Sequence, residues 1–255
     1  MKKVLFLLSV STILVVSSTS FTSAANNLIA DQVISFYEVP LVCGAAPEIG
    51  CGSRLKPLFL DMAKESLIKE SWSNRQGTVL AIIWNETAQN EKVREKIVRP
   101  IFKKNVVYAQ LISNQTAINE LTASLNGKDK WYKGMEVDLL SIEEAGVIAE
   151  SLTKFAKNEG LISEQEAATI KSSFEDYFKK ELTQVRTYDN LKSFETQEKW
   201  RNDGYQIYVS HIGKERADKV SEFYNKYQEG QMEEKVNAKS CYDKKGKKKD
   251  CCQKS

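Results

Sequence analysis

Residues 42–53, Val42-Cys43-Gly44-Ala45-Ala46-Pro47-Glu48-Ile49-Gly50-Cys51-Gly52-Ser53, join a strand-like run to a helix-like one, and their reading decides the fold. Glycines and a proline give this stretch backbone freedom and one fixed turn. Ser53 has the side chain of an N-cap for a helix beginning near Arg54. Two thiols beside the free N–H groups of a helix start make a soft-ligand or redox site.

Working outward, Val33–Val39 is rich in β-branched and aromatic residues and ends at Pro40, which predicts a strand. On the other side, Leu55, Leu58, Phe59 and Met62 recur at helical spacing, with Pro57 in the first turn, so a helix is expected to about Ser66. Leu67–Ser73 reads as a short strand and Asn74–Gly77 as a hairpin turn into Thr78–Trp84. The unbroken apolarity of that last run places it centrally in a sheet. Glu91–Lys104 has a helical period, which Pro100 kinks or ends, and Val106–Ile112 is a further strand. The resulting βαββαβ order is the ferredoxin-like one, an antiparallel four-stranded sheet with two helices on one face.

A first strand running into a cysteine loop at the start of helix one resembles the heavy-metal-associated domain of copper chaperones and periplasmic mercury-binding proteins. The resemblance covers about a third of the chain and implies soft-metal binding, with Cys51 matching the helix-proximal cysteine and Cys43 the loop cysteine. That family keeps two residues between its cysteines; here there are seven, and the methionine before the first cysteine is absent. A thioredoxin-like domain resembles the same strand, cysteine and helix opening, also with two intervening residues.

Past Thr116 the pattern becomes helical, so the expected fold is α+β: a ferredoxin-like sandwich followed by a mostly α-helical domain. The expected division is a signal peptide over 1–25, a cysteine-loop domain over 26–120, a helical domain over 121–238 and a flexible Lys/Cys-rich tail over 239–255. Trp131-Tyr132-Lys133-Gly134 reads as a connector packing on the sheet. Ser141-Ile142-Glu143-Glu144 and Ser163-Glu164-Gln165-Glu166 both match the capping box, starting helices at about Ile142–Asn158 and Glu164–Leu182. These acidic residues lack the alternating oxygen ligands and central glycine of a helix-loop-helix calcium site. Arg186–Tyr205 reads as helical, broken at Asn202-Asp203-Gly204. Tyr205–Val209 is open between strand and helix, and Lys214–Gln228 is a last amphipathic helix.

Met1–Ala25 carries Lys2 and Lys3, an apolar run from Val4 to Val16, and small residues through Ala24-Ala25, the pattern of a cleaved signal peptide. The expected location is therefore periplasmic or extracellular, with no membrane span after cleavage. Removing the two lysines takes the formal charge from +3 to +1. The positive charge gathers in the tail, seven lysines against two aspartates, which argues against a nucleic-acid face on the folded body.

Five cysteines, Cys43, Cys51, Cys241, Cys251 and Cys252, in an exported chain predict disulfides, and the odd count leaves at least one thiol over. A single histidine, His211, excludes a His-rich zinc site, so a metal site would be thiolate-led. His211 itself reads as hydrogen-bonded or exposed rather than catalytic. Three functions follow. The first is a binding protein for a thiophilic ion, Cu, Hg, Cd or Zn, at Cys43 and Cys51, supplemented from Cys241, Cys251 and Cys252. The second is a thiol–disulfide oxidoreductase in which Cys51 attacks and Cys43 resolves. The third is an interaction protein, braced by disulfides, whose partner is another exported protein. No hydrolase, kinase or dinucleotide-binding signature is present, so the reading leans away from an enzyme.

Overall fold

The computed structural model describes residues 32–226 apart from 89, 128 and 129. The expected signal peptide, the tail and its cysteines, Cys241, Cys251 and Cys252, lie outside the described residues. The first strand, β1 (Ile34–Glu38), leads through the cysteine loop to α1 (Gly52–Met62). Then come β2 (Ile68–Asn74), β3 (Val79–Trp84), α2 (Glu91–Lys104) and β4 (Gln110–Leu111). All four strands belong to one antiparallel sheet in the order β4-β1-β3-β2. A fifth strand, β5 (Trp131–Lys133), pairs antiparallel with β2 and completes the sheet.

β3 is central, and both of its faces are buried. Leu80, Ile82 and Trp84 face one core with Tyr37, whereas Ala81 and Ile83 face a second with Phe36, Trp72 and Trp131. Each such large side chain contributes roughly 1.5–3 kcal/mol by leaving water. The second face is covered by α3 (Gln115–Gly127) through Leu125, so helices lie on both sides of the sheet rather than on one. The first face is covered by α1, α2 and the C-terminal helices, and this larger core runs without interruption from Tyr37 to Val220.

The C-terminal half contains α4 (Val137–Asn158), α5 (Glu164–Gln184), α6 (Tyr188–Lys192) and α7 (Phe194–Ile212), then α8 over 214–226. α4 and α5 form the expected hairpin across Gly160, whose φ is +68°. The capping box at Ser163 is present: its hydroxyl accepts the Glu166 N–H, and Glu166 accepts the Ser163 N–H at 2.8 Å.

Several local expectations are corrected. The Ser141 capping box does not exist, because α4 begins at Val137 and Ser141 is buried inside it. The Trp131 connector is a strand, held by pairing with distant β2 and by burial of its indole. α2 runs through Pro100 to Lys104, and α7 runs through Asn202-Asp203-Gly204, where Gly204 packs on Phe174. Tyr205–Val209 is therefore helix. The fourth strand shrinks to two residues, since Val106 and Tyr108 are exposed and Val106 has a positive φ of 52°. Pro57 lies past the first turn of α1, because that helix starts at Gly52.

Candidate functional site

The seven residues between Cys43 and Cys51 fold back on themselves. Val42 and Gly50 form an antiparallel bridge, the Cys43 N–H donates to Ile49 O at 2.8 Å, and the Cys51 N–H donates to Leu41 O at 2.7 Å. The loop is fastened to the β2–β3 turn by the Gly50 N–H to Arg75 O and the Leu41 N–H to Gly77 O. Two glycines make this approach possible. A Cβ on Gly50 would stand 2.8 Å from Gly77 N, and Gly77 itself has a φ of +68°. Ala46 and Ile49, fully buried, anchor the loop in the main core.

This ladder returns Cys51 beside Cys43, at the start of α1. Cys51, rather than Ser53, is the N-cap residue. Ser53 sits one position inside the helix, with its hydroxyl 3.2 Å from Cys51 Sγ. Both cysteines are buried free thiols, so the expected disulfide brace is not formed between them. Their proton affinities diverge. A hydrogen bond from Cys43 draws the Cys51 thiol down to about 6, against its burial, with help from the Ser53 hydroxyl and the Arg54 N–H. Cys43, donating to Cys51 and buried, is pushed up. The Cys43 thiol thus favours the protonated form and Cys51 the thiolate, which the partial positive charge at the α1 N-terminus also favours.

A third side chain completes the site. Glu144 of α4 is 1% exposed, and its Oε2 accepts the Gly52 N–H at 2.8 Å. Burial, then the negative charge of Cys51, pushes its carboxyl well above the usual range. Sequence reading assigned Glu144 to helix capping and missed it here. The available signal was its spacing: Leu140, Glu144 and Ile148 lie four residues apart, on the buried side of α4. Gly52 allows the approach, since a Cβ there would stand 2.8 Å from Ser141 N.

The neighbouring Glu143 fixes α4 to the loop from the other side. It pairs with Arg75, whose Nη1 donates to Glu48 O at 3.1 Å, and it accepts the Tyr132 hydroxyl. Burial, then the Glu143 carboxylate, raises Tyr132 to about 12. Arg75 therefore ties the cysteine loop, the β2–β3 turn and α4 into one unit.

No family model matches the chain, and neither a curated protein nor a solved structure does. The chemistry of the site rests on its own geometry.

Among the described residues, no group of three or more His, Cys, Asp or Glu side chains is arranged to hold a metal ion. The donor set is a thiol pair. The single histidine is hydrogen-bonded, its Nε2 lying 2.9 Å from Ser173 Oγ. No helix among the described residues is long and apolar enough to cross a membrane.

Proposed function

We propose that the chain is an exported protein that holds a thiophilic, two-coordinate cation of the Cu(I) or Hg(II) kind between Cys43 and Cys51. One observation carries the reading: the loop ladder brings the two cysteines side by side at the start of α1 as buried free thiols. Thiolates select soft cations. A pair of them suits an ion that takes two ligands better than zinc, whose structural sites take four. The reading also draws on the sheet, since β4-β1-β3-β2 with α1 and α2 as its helices is the strand order of a ferredoxin-like βαββαβ unit. Export rests on the signal-peptide pattern of residues 1–25.

The test is native mass spectrometry of the reduced chain after equilibration with Cu(I) or Hg(II), with Cys241, Cys251 and Cys252 replaced by serine. One bound ion per chain, lost with Cys43→Ser, is expected. A chain that stays metal-free ends the reading.

A second reading, thiol–disulfide exchange, draws on the asymmetry of the pair: Cys51 is acidic and helix-capping, and Cys43 stands ready to resolve. It requires reduction of a small disulfide that disappears with Cys51→Ser. Burial of both thiols favours small partners over protein disulfides.

A further inference from the structure

Between the cysteine loop with the start of α1 and helices α4, α5, α7 and α8 lies a cavity of about 600 Å3, within the range of roughly 300–1,000 Å3 usual for small-molecule sites. Its walls are mostly apolar, with Ile148, Leu152, Phe174, Phe178, Ala217 and Val220 from the helices. The aromatic wall is fixed in place. Phe174 stacks on Phe178 at 6.0 Å and meets Tyr208 edge-on at 5.2 Å, and the Tyr208 hydroxyl donates to Leu152 O. Such a volume of apolar space asks for an apolar occupant.

The charges that line this cavity among the described residues lean positive. Arg54, Lys192 and Arg201 contribute three cations, against the lowered thiol of Cys51 and the carboxyl of Glu144, which burial pushes well above its usual range. Among the described residues, none of the three cations has a carboxylate partner. Arg54 donates to Val106 O, lies over the Tyr188 ring, and leaves its Nε buried without a hydrogen-bond partner. Lys192 Nζ also lies over the Tyr188 ring, 5.9 Å from its centroid. Arg201 forms no hydrogen bond or ion pair among the described residues. Elsewhere in the helical half some cations are paired, as in Lys199–Glu181 and Arg216–Glu166, and others, such as Arg186, meet only backbone carbonyls among the described residues. Lys192 and Arg201 are exposed, so they stand where the cavity meets solvent.

We propose that this cavity binds a single-chain amphiphile with an anionic head, a fatty carboxylate, its chain among Leu152, Phe174 and Phe178 and its head at Lys192, Arg201 and Arg54. The chain removes apolar wall from water, and the head meets cations that have no carboxylate of their own. Cys43 and Cys51 border the same cavity, but this site goes beyond the cation reading, since the head meets Lys192, Arg201 and Arg54 and no bound cation is needed.

The experiment is isothermal titration of the full reduced chain at pH 7.5 with dodecanoate, dodecanol and dodecylamine, each below its aggregation concentration. Dodecanoate binds saturably, one per chain, and about tenfold or more tighter than dodecylamine, a difference of about 1.4 kcal/mol. Lys192→Glu with Arg201→Glu, both on the surface, removes that preference. Leu152→Trp, which fills the cavity, weakens all the ligands that bind. Lys192→Glu with Arg201→Glu leaves Cu(I) uptake at the thiol pair in place, which separates this site from the cation reading. Absence of saturable dodecanoate binding overturns the proposal, as does equal or tighter binding of dodecanol or dodecylamine. Undiminished dodecanoate binding by folded Lys192→Glu/Arg201→Glu protein overturns it as well.

Discussion

Glu144 Oε2 accepts the Gly52 N–H at 2.8 Å, across 92 residues of sequence. This bond satisfies the first amide of α1, one of the donors that a helix leaves open, and joins the thiol pair to the helical half. Burial pushes the Glu144 carboxyl well above its usual range, so Glu144→Gln, a neutral acceptor of the same shape, should change stability by less than about 1 kcal/mol. Glu144→Leu leaves the amide buried and unpaired, at a cost of about 1–3 kcal/mol. Urea unfolding midpoints of the two variants distinguish the cases. Equal losses would mean that Glu144 is ionised in the folded protein.

The thiolate of Cys51 gives a pH signature. Its folded value, about 6, lies below its ordinary value of 9.0. Between these limits the unfolded chain holds the extra proton, so this group adds stability as pH rises from about 6 to 9 and loses it as pH falls through 6. Cys43, raised above 9.0, acts oppositely at higher pH. Thiolate absorbance of the reduced chain should therefore show one thiol titrating near 6, and Cys51→Ser should abolish that step. A first step above pH 8 would contradict the assigned pair.

Gly52 and Gly44 make a paired test. A methyl at Gly52 would press on Ser141 N at 2.8 Å and on the Ser141 side chain, so Gly52→Ala must move α1 away from α4. Overpacking of this kind costs about 1–3 kcal/mol. Gly44 has nothing within 4 Å of its missing Cβ, and Gly44→Ala should stay within about 0.5 kcal/mol. Thermal unfolding of the two variants reads the difference directly.

Arg75 offers a fourth prediction. Its guanidinium joins Glu48 O of the loop to Glu143 of α4. Arg75→Met removes both contacts while keeping much of the stem, so the loop should lose protection from amide exchange at Cys43 and Cys51. Protection unchanged from the parent chain would show that the backbone ladder alone holds the loop.

Elements that declare themselves locally were legible in the sequence. β1, the β2–β3 hairpin and α2 follow from β-branched runs, a turn at Gly77 and a helical period, and the Ser163 box starts α5 as read. What was not legible depends on distant partners. β5 is three residues long and exists because β2 offers an edge. Ser141-Ile142-Glu143-Glu144 satisfies a capping pattern, yet its residues are used for contacts with Gly52, Arg75 and Tyr132. Helix α7 continues through Gly204, whose propensity cost of about 1 kcal/mol is met by packing on Phe174. In the cysteine loop the cap residue is Cys51 rather than Ser53, and Glu144 meets the loop from a segment that the sequence pattern assigns to helix capping.

Competition titration with Cu(I) most directly tests whether Cys43 and Cys51 form a joint site for a soft cation. The reduced chain, with its tail cysteines replaced by serine, is titrated against a chromogenic Cu(I) chelator. The account predicts removal of one equivalent of Cu(I) per chain from the chelator, and loss of that uptake in both Cys43→Ser and Cys51→Ser. Uptake that survives either substitution, or no uptake by the parent chain, would contradict it.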